Sequence, residues 1–145
     1  MVNNFLLSDN NQNPSKVADV YWIYAKRKIG GYPKVTTRSG KWLIFVNTER
    51  PDTIWRKIKY ATENGKLGYE SKTATAKPNS LAGKSRQKVV CVYTYDWTDE
   101  EDVKRIREEL RKLGIVWKIP YKTDQDTENH KYRLTTHQRI SKYYE

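Results

Sequence analysis

Lys41-Trp42-Leu43-Ile44-Phe45-Val46 is the most apolar short run of the chain, and Arg38-Ser39-Gly40 in front of it supplies turn chemistry. Six residues of this kind, opened by a turn, read as a strand at the centre of a sheet. Upstream, Asp19-Val20-Tyr21-Trp22-Ile23-Tyr24 has strand composition, and Gly30-Gly31-Tyr32-Pro33 breaks it. Downstream, Pro51-Asp52 opens a helix in which Ile54, Trp55, Ile58 and Ala61 share one face, with Gly65 as its stop.

The second half repeats that order without repeating the sequence. Residues 66–76 carry Leu67, Tyr69 and alternating Thr and Ala, the pattern of a half-exposed strand. Residues 77–88 are a loop of Pro, Ser, Gly and basic side chains, and residues 88–95 return to a buried strand. Thr98-Asp99-Glu100-Glu101 has the form of a capping box, with the Thr98 hydroxyl and Glu101 carboxylate satisfying free N–H groups. The helix it opens runs to about Leu113, buries Val103, Ile106, Leu110 and Leu113, and ends at Gly114. Residues 115–121 form a last strand. Short connections within each strand pair predict an α+β fold: a mostly antiparallel sheet with helices packed on one face.

A chain of 145 residues suits one core. The expected division is a disordered leader over residues 1–16, a single α+β domain over residues 17–135 and a polar tail over residues 136–145. No run approaches the roughly 20 apolar residues of a membrane span, and the leader lacks a secretory core, so the expected compartment is the cytoplasm. Cys91 sits within Val89-Val90-Cys91-Val92 and reads as an inert buried residue.

Net charge is +11, and the excess is uneven. Residues 20–48 contain no acid but carry Lys26, Arg27, Lys28, Lys34, Arg38 and Lys41; residues 71–95 contain none beside Lys72, Lys77, Lys84, Arg86 and Lys88. Two unopposed basic blocks set up a field that attracts a nucleotide, RNA or an acidic protein. Five Trp and eleven Tyr accompany them. Aromatic rings next to cations let bases stack while phosphates pair with ammonium groups, and Trp22 and Tyr32 fit that role. Trp42 and Trp55, on predicted core faces, fit packing instead. Tyr121-Lys122-Thr123-Asp124-Gln125-Asp126-Thr127 reads either as a turn held by side-chain hydrogen bonds or as a polar rim beside a phosphate site. The candidate ligand contacts are then Trp22, Tyr32, Arg38 and Lys41 from the first block; Lys72, Lys77, Arg86 and Lys88 from the second; and Lys122, Thr123, Asp124 and Thr127 from the cluster.

Chemistry of other kinds finds little support. The two histidines, His130 and His137, stand seven apart near the tail, which is no metal pattern, and no glycine loop or cofactor motif is present. No nucleophile motif appears either.

In ordered series, Ser39-Gly40-Lys41-Trp42-Leu43-Ile44, Trp55, Lys66-Leu67-Gly68, Val90-Cys91-Val92-Tyr93-Thr94, Val103 through Leu113-Gly114, and Tyr121-Lys122-Thr123-Asp124 with Thr127 resemble the basophilic-leukaemia-expressed (BLES-type) family. More distantly they resemble the mRNA cap-binding translation initiation factor 4E. The resemblance covers roughly residues 20–135. It implies a curved antiparallel sheet backed by helices, and a ligand whose base is sandwiched by rings while basic residues hold its phosphates. Lys72, Lys77, Arg86 and Lys88 are the counterparts of those basic residues, and Tyr32 falls near one sandwiching ring, followed here by Pro33 and Lys34 where the factor has an acid. Members of the BLES-type family have also been likened to bacterial phosphothreonine lyases, which use a Lys base and a His acid. Three functions are therefore carried forward: a phosphate-ligand module, a lyase-like enzyme, and a module docking an acidic protein.

Overall fold

The computed structural model describes residues 12–47, 51–78, 87–128 and 142–145. Strand β1 spans Trp22–Lys26 and β2 Gly40–Asn47; helix α1, Pro51–Glu63, follows. Then come β3 (Glu70–Ala74), β4 (Gln87–Thr94), helix α2 (Glu100–Lys112), β5 (Pro120–Thr123), a short helix α3 (Asp124–Glu128) and β6 (Tyr143–Tyr144). The six strands form one curved sheet in the order β1-β3-β4-β2-β5-β6, and every pairing is antiparallel. The central β2 contains the apolar run from Lys41 to Val46.

Alternation along β2 separates two faces. Trp42, Ile44 and Val46 point into the core, joined across the register by Val92 and Val90 of β4 and Tyr121 of β5. Helices α1 and α2 cover this face. From α1 come Trp55, Ile58 and Ala61, and its Thr62 hydroxyl meets the Ser71 hydroxyl of β3 at 2.7 Å. From α2 come Val103, Ile106 and Leu110, and the Trp42 indole donates to the Val103 carbonyl at 3.0 Å. Trp42 and Trp55 are thus fully inside, as their spacing predicts.

Several expected boundaries move. The cap of α2 is Asp99, whose carboxylate accepts from Asp102 N at 3.1 Å, while the Thr98 hydroxyl donates to Asp96 instead. The cap shifts one residue because Asp96 already gathers donors from the preceding turn. Residues 115–119 are not strand, although Ile115 and Ile119 are buried; the strand starts at Pro120. The polar cluster after it is a helix rather than a turn, with the Thr123 hydroxyl accepting from Asp126 N at 3.1 Å. Residues Pro14–Lys16, placed in the leader, form a 3₁₀ turn tied to α1 through Ser15 and Asp52. Tyr143–Tyr144, placed in the tail, pairs with β5 and lays Tyr143 against the core.

Basic residues do part of this construction. Arg27 donates to the carbonyls of Leu67 at 2.7 Å, Gly68 at 3.2 Å and Gly31 at 3.2 Å, tying the β1–β2 loop to the start of β3. Arg107 donates to Ile115, Trp117 and Glu145 oxygens. Gly68 is required where it stands, because a Cβ there would run into the Tyr93 carbonyl.

Asp96 closes the end of β4. It accepts from Thr98 N at 2.9 Å, from Thr36 Oγ at 3.0 Å and from Arg38 at 3.2 and 2.8 Å through two guanidinium nitrogens. Burial alone would raise its pKa, but the donors, Thr98 foremost, outweigh burial and hold the carboxyl well below its ordinary range. A carboxyl depressed in the folded state adds stability above its unfolded pKa of about 3.9, and that stability is lost as pH falls below it. Asp96→Asn is therefore expected to flatten the fall of Tm between about pH 4 and pH 2. A Tm-against-pH curve whose acid limb keeps its slope would contradict this.

Candidate functional site

The face of the sheet turned away from α1 and α2 carries the side chains that alternate with the core: Trp22 and Tyr24 on β1, Lys72 on β3, Cys91 and Tyr93 on β4, Lys41 and Leu43 on β2, and Lys122 on β5. Lys41 stands opposite Tyr93 on one side and opposite Lys122 on the other. Lys72 stands opposite Cys91 and Tyr24. The two basic segments, remote in sequence, therefore meet here. The Lys41 and Lys72 ammonium groups lie 5.8 and 5.9 Å from the centre of the same Tyr93 ring.

Each of these cations has a partner that positions it. Lys72 Nζ lies 3.9 Å from the centre of the Trp22 ring, a cation–π contact. Lys41, whose side chain is only 9% exposed, makes a 2.6 Å ion pair with Asp124 Oδ1, and Asp124 Oδ2 accepts from the Ser39 hydroxyl at 2.6 Å. Partial burial, then the neighbouring Lys41 charge, lower the pKa of Lys122, with Asp126 acting against them. Beneath them Cys91 is buried and its thiol is pushed up to about 11, chiefly by desolvation, so it stays an unreactive thiol at neutral pH.

Two phenols complete the face. Tyr69 and Tyr93 have rings 5.9 Å apart. Burial raises both pKa values. The Asp124 carboxylate adds to the effect at Tyr69, and Cys91 and then Asp124 add to it at Tyr93. Both therefore remain neutral O–H donors at any physiological pH. At the end of the sheet where β2 begins, a hollow of about 440 Å³ is lined by Thr36, Thr37, Arg38, Ser39, Asp124 and Gln125. Asp124 belongs both to this hollow and to the lysine face.

A family model described as basophilic leukemia-expressed protein Bles03 matches residues 32–128, a stretch that holds β2 through β5 and all of these side chains except Trp22 and Tyr24. The chain belongs to the Bles03 family. Among solved structures, this Bles03-family chain is similar to Caenorhabditis elegans eIF4E-3 in complex with the 4E-binding protein Mextli and a cap analog: 19% identity, TM-score 0.62, over 88% of this chain and 77% of that one. Ascaris suum eIF4E-3 with an m2,2,7G cap matches at 17% identity and TM-score 0.62, over 99% and 80%. Schistosome eIF4E complexed with m7GpppA and 4E-BP matches at 16% and TM-score 0.57; 74% of this chain is covered, and it spans 59% of that factor's length. At such identities the likeness is one of fold, and the Bles03-family chain has the initiation-factor-4E-like architecture.

Of the residues singled out from sequence, Trp22, Lys41, Lys72, Lys122 and Asp124 gather on the lysine face, with Arg38 at the hollow beside it. Others lie elsewhere. Tyr32 is packed against the core: its ring is edge-on to Tyr95 at 5.5 Å, the Arg27 guanidinium lies 5.0 Å from its centre, and its hydroxyl bonds Asp102 at 2.5 Å. Lys77 and Lys88 sit at the opposite end of the sheet, near the β3–β4 connection; Lys77 Nζ lies 4.4 Å from the centre of the Tyr21 ring. Thr123 faces the core and caps α3. Thr127 has its backbone in α3, while Arg86, His130 and His137 fall outside the described residues. Tyr69, Tyr93 and Ser39 were not singled out. For Tyr93 a signal existed, since Val90 and Val92 point inward and alternation sends Tyr93 to the other face; for Ser39 there was none. Among the described residues no three His, Cys, Asp or Glu are grouped to hold a metal, and no helix is long and apolar enough to cross a membrane.

Proposed function

We propose that this Bles03-family chain binds a phosphate-bearing ligand, a nucleotide or an RNA end, on its lysine face. The observation that supports it best is the meeting of Lys41 and Lys72 over one Tyr93 ring, with Lys122 next to Lys41. Three cations on one face of a sheet, two of them drawn from acid-free segments, give a phosphate more than one charge-assisted partner. The neutral Tyr69 and Tyr93 phenols supply further donors to phosphate oxygens. Trp22 rather than Tyr32 takes the base, because the Tyr32 ring is already enclosed by Tyr95 and Arg27. The nucleotide caps carried by the similar solved structures agree with a ligand of this class.

Fluorescence anisotropy with a 5′-phosphorylated RNA oligonucleotide at several salt concentrations tests the reading. Two or three phosphate contacts predict that log K falls against log salt with a slope of roughly −1.4 to −2.1. An affinity that does not respond to salt would overturn it.

A further inference from the structure

Strand β1 ends the sheet order, and one of its edges meets no other strand among the described residues. Arg27 N donates to the Tyr69 carbonyl at 2.9 Å and Thr75 N donates to the Tyr21 carbonyl at 3.2 Å, so the odd-numbered positions of this strand bond β3. Antiparallel alternation then turns the N–H and C=O groups of Trp22, Tyr24 and Lys26 outward. Among the described residues no hydrogen bond reaches these groups. A row of outward donors and acceptors is a template for one more strand.

The side chains around this edge decide what kind of strand fits. Val20, Tyr21 and Tyr24 are exposed, and Ile23, on the core side, is only partly buried. Lys26 lies in the strand, Lys72 stands opposite Tyr24, and Lys77 Nζ lies 4.4 Å from the centre of the Tyr21 ring. The acids nearby are Glu70, opposite Lys26, and Asp19, whose carbonyl accepts from Lys77 at 3.4 Å; Lys28 is paired with Glu63 at 3.2 Å. The cations outnumber the carboxylates, and the whole chain carries +11. A second copy would bring the same charge, and a lysine on an edge strand discourages pairing between like sheets. An acidic strand meets no such opposition.

We infer that the β1 edge docks an extended segment of another protein in which acidic and apolar side chains alternate. Its backbone bonds Trp22, Tyr24 and Lys26. Its acidic side chains lie beside Lys26 and Lys72, and its apolar ones continue the core side next to Ile23. The site uses backbone groups that the phosphate reading leaves idle, and the inference does not depend on that reading.

Amide hydrogen exchange of the native chain, followed by NMR with and without a peptide of alternating Glu and Val, provides the test. Without peptide, the Trp22, Tyr24 and Lys26 amides should exchange fast and those of Ile23 and Ala25 slowly. With it, the three outward amides are expected to slow several-fold, while a Lys-Val peptide leaves them unchanged. Tyr24→Pro removes one outward N–H without touching the bonds to β3, and proline is tolerated at such edge positions. Its Tm should stay close to that of the native chain while peptide binding is lost; the exchange measurement itself needs no variant to fold. Absence of slowing by the Glu-Val peptide overturns the inference. So do shifts confined to Lys41 and Tyr93, which would put the peptide on the lysine face, and protection in the peptide-free chain that rises with protein concentration, which would make a second copy the partner. Slowing of the same amides by 5′-phosphorylated RNA would assign the edge to the RNA site and overturn it as well.

Discussion

Arg107→Met is expected to lower stability by about 3–5 kcal/mol, since each buried polar group left without a partner costs roughly 1–3 kcal/mol. Arg107 is 1% exposed, and its three nitrogens reach the backbone oxygens of Glu145 at 2.8 Å, Ile115 at 2.9 Å and Trp117 at 2.7 Å. These hold the segment between α2 and β5 and the strand β6 against the core. Methionine fills the space of the stem but takes the donor from the Ile115 and Trp117 carbonyls, while the Glu145 oxygen keeps only Ile119 N at 2.8 Å. Lysine does not substitute, because one ammonium on a flexible stem cannot reproduce a planar fork. Urea titration is the measurement: the midpoint should fall for both Arg107→Met and Arg107→Lys. A variant within about 1 kcal/mol of the native chain would mean that water or backbone movement replaces the fork.

Lys41→Gln is expected to weaken RNA binding by about 10- to 100-fold, the loss of one charge-assisted contact of about 1.5–3 kcal/mol. Its effect should exceed that of Lys72→Gln, because among the described residues Asp124 then keeps the Ser39 hydroxyl but loses its ion pair, and faces the incoming phosphate as a negative charge. The double change Lys41→Gln with Asp124→Asn should therefore bind better than Lys41→Gln alone. The salt slope should fall by roughly 0.7 for each lost phosphate contact. Equal affinities for the single and double variants would show that Asp124 does not face the ligand, and would move the phosphate away from Lys41.

Which elements form was largely legible from residues close together in the chain. The apolar run at Lys41–Val46, the helix faces of Ile54, Trp55, Ile58 and Ala61 and of Val103, Ile106 and Leu110, and the order of strands and helices all follow from periods of two and 3.6 and from Gly and Pro punctuation. Element ends were less legible. The cap at Asp99 depends on Asp96 accepting from Thr98, and the 3₁₀ turn at Pro14–Lys16 depends on a contact with Asp52, far along the chain.

Composition and periodicity within single segments already imply one α+β core, its longer strands and helices, and two segments of unopposed positive charge, because these properties are local sums of side-chain character. Which cations meet depends instead on how distant segments pair. Strand order places β3 and β4 beside β2, so Lys72 and Lys41 share a ring while Lys77 and Lys88 are carried to the other end, and a loop contact turns Tyr32 inward. A strand's alternation assigns each side chain to one of two faces, whereas the neighbour it meets there is set by pairing between segments distant in sequence.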